Sequence, residues 1–183
     1  MKKSAIAVLA SVLFSGHVLA DDAQPKAYLG LNYLAAQYEE DGVDDTLDLG
    51  AIYVQLGAQI NPYLAGELRV GSGVTDDSTT IYGVDASLEL KNLFGGYLKA
   101  GIPTGTLIYP YVIAGFTRAE LEVSASDGYY SASNSDSGSD VSYGAGINLN
   151  ITDNVAANIE YMQYYDKDGV EIAGLSLGGQ FKF

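Results

Sequence analysis

Nine charged residues, Glu67, Arg69, Glu89, Lys91, Lys99, Arg118, Glu120, Glu160 and Lys182, interrupt or oppose stripes of apolar side chains and are the first candidates for chemistry in this chain. Carboxylates and cations mixed in this way form ion pairs and charge-assisted hydrogen bonds. The same set could in principle do general acid–base work, which needs a base and a nucleophile within reach of each other. The one histidine, His17, lies in the apolar amino-terminal stretch, and no serine stands beside another suitable base. Cysteine is absent, so neither a disulfide nor a thiolate metal site is available. The set therefore reads as a structural polar network, with no enzyme activity and no cofactor expected.

Two further groups could recognise something outside the protein. Acidic residues crowd the polar connections, with Glu39, Glu40, Asp41, Asp44 and Asp45 in the first and Asp76 and Asp77 in the second. Asp127, Asp136 and Asp140 fall in the third, and Asp166 and Asp168 in the fourth. Hard cations favour such oxygens, but no stretch has the spacing of a calcium loop, so a solvated acidic surface is the plainer reading. The segment from Ser124 to Asp140 is rich in Ser, Gly and Asp and carries Tyr129 and Tyr130. Its composition argues for a mobile loop, and paired tyrosines among small polar residues also suit a contact surface. Gly71-Ser72-Gly73 and Gly144-Ala145-Gly146 open no helix and are not phosphate loops.

The elements that carry these residues follow from a period of two. Even positions from Val84 to Ile102 are largely apolar, while Asp85, Glu89, Lys91 and Lys99 lie on the odd ones. A helix would scatter those charges around its axis. Leu29, Leu31 and Tyr33 oppose Gly30 and Asn32, and Ile52, Val54 and Leu56 oppose Tyr53 and Gln55. Leu68 and Val70 oppose Glu67 and Arg69, whereas Tyr111, Ile113, Ala119 and Leu121 oppose Arg118 and Glu120. Val141 to Ile151, Val155 to Tyr161 and Ala173 to Phe183 repeat the alternation, giving eight strands. Their connections alternate long and short: Glu39 to Thr46, Asn61-Pro62, Thr75 to Thr80, Pro103 to Thr106, Ser124 to Asp140, Thr152 to Asn154, Asp166 to Val170. That alternation fits an up-and-down barrel with both chain ends on one side.

The two ends of the chain give an address. Met1-Lys2-Lys3, an apolar run to Phe14 and Val18-Leu19-Ala20 predict a secretory signal over residues 1–20, leaving one domain over 21–183. Cleavage there removes Lys2 and Lys3, so 7 basic and 23 acidic residues remain and 7 − 23 gives a side-chain net charge of −16. Such a surface offers nothing to nucleic acid. Outside the signal no apolar run is long enough for a membrane helix, so a spanning chain must cross as strands. The chain stops on Gln180-Phe181-Lys182-Phe183, with the phenylalanines on the apolar face.

These residues, together with Ala65-Gly66-Glu67-Leu68-Arg69-Val70-Gly71 and Tyr109-Pro110-Tyr111-Val112-Ile113-Ala114-Gly115-Phe116, resemble the small eight-stranded outer-membrane β-barrels, the group of outer membrane proteins A and X and the opacity-type barrels. The resemblance spans essentially all of residues 21–183; unlike many such barrels, the chain has no Trp to build an aromatic girdle. It implies an all-β, antiparallel, up-and-down transmembrane β-barrel in a Gram-negative-type outer membrane. It also implies that Phe181 and Phe183 are read by the barrel assembly machinery, and that outer-membrane lipid and lipopolysaccharide are its surroundings. Some barrels of this size modify lipid A, but the acyl-chain enzymes among them use a histidine that residues 21–183 lack. The functional expectation is a monomeric structural or surface-interaction protein, its interior filled by the nine charges and its partner unspecified. A small channel for ions or apolar solutes is the first alternative, and a lipocalin-like periplasmic binder the second.

Overall fold

The computed structural model describes residues 27–40, 47–75, 77–81, 84–126, 131–167 and 169–183. Its strands are β1 (Ala27–Glu40), β2 (Leu47–Asn61), β3 (Leu64–Thr75), β4 (Asp77–Ile81), β5 (Val84–Gly101), β6 (Ile108–Ser126), β7 (Ser131–Asn150), β8 (Val155–Lys167) and β9 (Val170–Lys182). All pairings are antiparallel, and the sheet runs β3-β2-β1-β9-β8-β7-β6-β5-β4 with β3 also paired to β5. Since β4 carries on from β3 along the same neighbour, the described strands make eight staves of one closed barrel. The chain's two ends close it, with Tyr28 opposite Lys182 and Glu40 opposite Val170. Closure leaves no sheet edge within the ring, the condition for strands to lie in lipid.

The short turns are held by side-chain caps. Asn61 Oδ1 accepts from the amides of Tyr63 (2.8 Å) and Leu64 (2.9 Å), and Thr152 Oγ1 accepts from those of Asn154 and Val155. Gly105 turns the β5–β6 connection at φ 70°, a left-handed backbone that favours glycine. At the opposite end two expected loops are strands. Asp77–Ile81 pairs with Val84–Leu88, and Ser131 to Asp140 pairs in register with Ser126 back to Thr117. Composition spoke for mobility in the Ser124 to Asp140 segment, but a polar strand needs only its neighbour's backbone to satisfy its own amides.

Around the barrel the outward residues form an apolar band: Leu31, Leu98, Phe116 and Phe183 are 58, 64, 68 and 63% exposed. On β1, β2, β3, β7, β8 and β9 the face facing outward is the expected one. Two strands depart from the expected phase. On β6, Tyr111, Ile113 and Thr117 are buried inside while Val112, Phe116 and Arg118 face out. From Tyr111 to Phe116 both faces of β6 are apolar or small, so alternation cannot choose between them; bulky fillers for the lumen decide. On β5 the register shifts between Leu90 and Asn92. This β-bulge lets Leu90 and Leu93, which strict alternation would set on opposite faces, both point into the core.

Candidate functional site

Glu67 and Arg69 enter the lumen from β3, Lys99 from β5 and Glu160 from β8, and none of the four is more than 4% exposed. Three staves lie between β3 and β8 in either direction, so the contact between them crosses the full width of the barrel. Arg69 makes it as a fork, Nη1 to Glu160 Oε1 at 2.5 Å and Nη2 to Oε2 at 2.9 Å. Its Nε reaches Glu67 Oε1 at 2.6 Å, and Lys99 Nζ meets Glu67 Oε2 at 2.7 Å. Two cations and two anions thus alternate in a neutral chain across the lumen. Neutrality and bidentate geometry matter here because a lone buried charge costs several kcal/mol, on the order of what breaking a pair would cost.

Tyrosines complete the cluster. Tyr28 Oη donates to Glu67 Oε2 (2.6 Å) and Tyr111 Oη to Glu160 Oε2 (3.0 Å). The Arg69 guanidinium lies 5.0 Å and 4.7 Å from the ring centres of Tyr53 and Tyr97, and Lys99 Nζ lies 4.4 Å from that of Tyr111. These rings reach their partners by lying along the wall across a neighbouring stave. A Cβ at Gly57 would collide with the Tyr28 ring, and one at Gly146 with that of Tyr111. Every oxygen of Glu67 and Glu160 therefore has a cationic or hydroxyl partner, so neither carboxylate is free to act as a base.

Above and below this waist the lumen differs in kind. Toward the long-loop end Leu34, Leu49, Leu90, Leu93, Ile113 and Met162 pack into one buried apolar cluster. Toward the short-turn end the inward residues are carboxamides: Asn32, Asn148 and Asn158, then the pair Gln55 Nε2 to Gln180 Oε1 at 3.3 Å.

Of the nine charges, the waist gathers Glu67, Arg69, Lys99 and Glu160. Lys182 sits at the short-turn mouth, donating to Asn150 Oδ1 at 2.6 Å. Lys91 occupies the bulge, about a third exposed and 3.4 Å from Glu122. Arg118 and Glu120 are not inward: Arg118 is exposed and donates to Ser137 Oγ (3.0 Å), and Glu120 accepts from Asn92 Nδ2 (3.3 Å) on the outer wall. Charge facing outward is tolerable there because the position lies beyond Phe116, the last of the strand's apolar outward residues. The side chain of Glu89, Tyr129, Tyr130, and Asp41, Asp44, Asp45, Asp76, Asp127 and Asp168 of the acidic loops lie outside the described residues. Sequence reasoning missed the tyrosine walls and the carboxamide layer. Tyr53, Gln55, Tyr97, Asn148 and Asn158 already lay in the inward phase, so their signal was present but weighed less than charge. Among the described residues no three acidic or histidine side chains converge in a way that could hold a metal.

The family model for the outer membrane protein beta-barrel domain matches residues 6–183, and the chain belongs to that family. No curated protein matches it by sequence. Among solved structures, Ail, the attachment invasion locus protein of Yersinia pestis, superposes with a TM-score of 0.64 at 14% identity over 88% of this chain and 100% of that one. Neisserial surface protein A gives 0.62 at 16% identity, covering 86% and 97%. The N-terminal barrel domain of Pseudomonas aeruginosa OprF gives 0.57 at 17%, covering 87% and 100%. At these identities the likeness is one of fold. The chain is an outer-membrane β-barrel of eight antiparallel staves.

Proposed function

We propose that this barrel serves the outer membrane as a structural and surface-interaction protein whose lumen does not conduct, and whose acidic outer strands and loops carry the contacts. The observation that carries the occluded reading is the Arg69–Glu160 fork spanning β3 to β8, backed by Glu67, Lys99 and four tyrosines. An eight-stranded barrel is only wide enough for its own side chains. Support for a surface role lies in the long hairpins at one end and their excess of carboxylates, which set charge without setting a ligand. Catalysis has no place in this reading, since the buried carboxylates are engaged by cations. Phe181 and Phe183 face outward at the closing strand and act as the assembly signal, following cleavage of a signal peptide near Ala20. Lipid and lipopolysaccharide are the standing surroundings, and the protein works as a monomer. Purified protein in planar bilayers should give no reproducible channel events; steady unitary conductance would refute occlusion and favour the channel reading. Cell-surface ligand capture by wild type against a variant with shortened outer hairpins tests the interaction role.

A further inference from the structure

A cavity of about 860 Å³ opens at the short-turn end, where the β5–β6 turn, the β7–β8 turn and the end of β9 meet. Backbone bonds tie the three together: the Asn150 amide donates to the Leu107 carbonyl at 2.7 Å, and the Lys182 amide to the Asn154 carbonyl at 2.7 Å. The volume lies within the roughly 300–1,000 Å³ of small-ligand sites. Short turns of outer-membrane barrels are periplasmic, so the cavity stands at the level of the periplasmic leaflet's headgroups. Its lining combines two kinds of surface. Leu107 and Ile151 are 67 and 64% exposed and form an apolar lip beside the outward pair Ile108 and Leu149. The rest is polar and holds one cation and one carboxylate, Lys182 and Asp153. Lys182 Nζ donates to Asn150 Oδ1 at 2.6 Å, which leaves the Asn150 Nδ2 group as a donor. Thr152 Oγ1 accepts from the amides of Asn154 and Val155 and keeps its own proton to give. Asp153 makes no ion pair among the described residues.

We propose that this cavity is a lipid site that seats the headgroup of a zwitterionic phospholipid carrying a primary ammonium. The phosphate lies on Lys182, Asn150 and Thr152, the ammonium on Asp153, and the acyl chains run over Leu107 and Ile151. Charge-assisted hydrogen bonds of both signs then meet one neutral ligand. An anionic glycerol headgroup would bring Asp153 no cation, and a choline headgroup would bring it no N–H donor. The apolar lip selects a lipid over a water-soluble phosphate ester. The site does not depend on whether the waist conducts, because no path through the Arg69 layer is involved.

The test is native mass spectrometry of wild-type protein released from micelles doped equally with dioleoyl phosphatidylethanolamine, phosphatidylglycerol and phosphatidylcholine. One phosphatidylethanolamine should stay bound, by about five-fold or more over either competitor. Equal retention of the three, or preference for a competitor, would overturn the proposal. Asp153→Asn changes an exposed turn residue and should cut the preference over phosphatidylglycerol to under about two-fold. An unchanged preference would refute the headgroup assignment. Water-soluble glycerophosphoethanolamine at the same concentration should leave no adduct, and retention equal to the lipid's would refute a lipid ligand. Position is read in wild-type protein by phosphorus-to-nitrogen dipolar dephasing in phosphatidylethanolamine bilayers. The Asn150 side-chain amide should dephase several-fold more than that of Asn61, which caps the β2–β3 short turn. Equal dephasing at the two would mean surrounding lipid only and would sink the site.

Discussion

At the scale of the residue, Arg69 concentrates more interaction than any other described side chain: two carboxylates and two tyrosine faces meet one guanidinium. Arg69→Ala strands Glu67 and Glu160 in the lumen and should destabilise the barrel by about 3–5 kcal/mol in urea unfolding followed by heat-modifiable gel mobility. Arg118→Ala, which loses only an exposed contact to Ser137, should fall within about 0.5 kcal/mol of wild type in the same assay. The contrast checks the inward phase of one arginine against the outward phase of the other. Gly57→Val should cost about 1–3 kcal/mol, because the added side chain must displace the ring that delivers the Tyr28 hydroxyl to Glu67.

At the scale of the element, the β5 bulge sets which side chains reach the core. Deleting Lys91, the extra residue, would remove the bulge yet keep Leu90 inward opposite Leu121, so the variant should stay folded and heat-modifiable, within about 1 kcal/mol of wild type in the same unfolding gel. The outer end of the β6–β7 hairpin, whose β6 side also pairs with Asp85–Leu88 of β5, lies beyond the ion-paired waist. Replacing Val123 to Asn134, whose ends are in register, by Asn-Gly should leave folded, heat-modifiable protein in the membrane. Phe183→Asp acts on the closing strand and should lower the assembled fraction far more than that shortening does, measured as protease-resistant barrel in the outer-membrane fraction. Strand number, pairing order and the outward faces of six of the eight staves were legible in the alternation of residues. The β5 shift was not, because a bulge adds one residue without any composition change, and the β6 phase was not, because both of its faces are apolar or small over the lipid-spanning length.

At the scale of the whole molecule, the lumen is layered: apolar at the long-loop end, ion-paired at the waist and carboxamide-lined at the short-turn end. Closure supports such a barrel in the absence of cysteine, since every stave pairs on both sides and the apolar band is taken up by lipid. The sequence by itself determined the class of protein. A period of two, alternating connection lengths and an aromatic terminal strand follow from local geometry that each residue carries with it, and they specify strands, a barrel and a membrane. Only the tertiary structure decided which charges meet. Glu67, Arg69, Lys99 and Glu160 come from three strands, and their partnership depends on shear and stave order. Those are properties of closure, set by how distant strands register around a ring, and no local pattern records them. The same reason separates Glu160, which holds Arg69 across the barrel, from Glu120, which shares its chemistry and faces out.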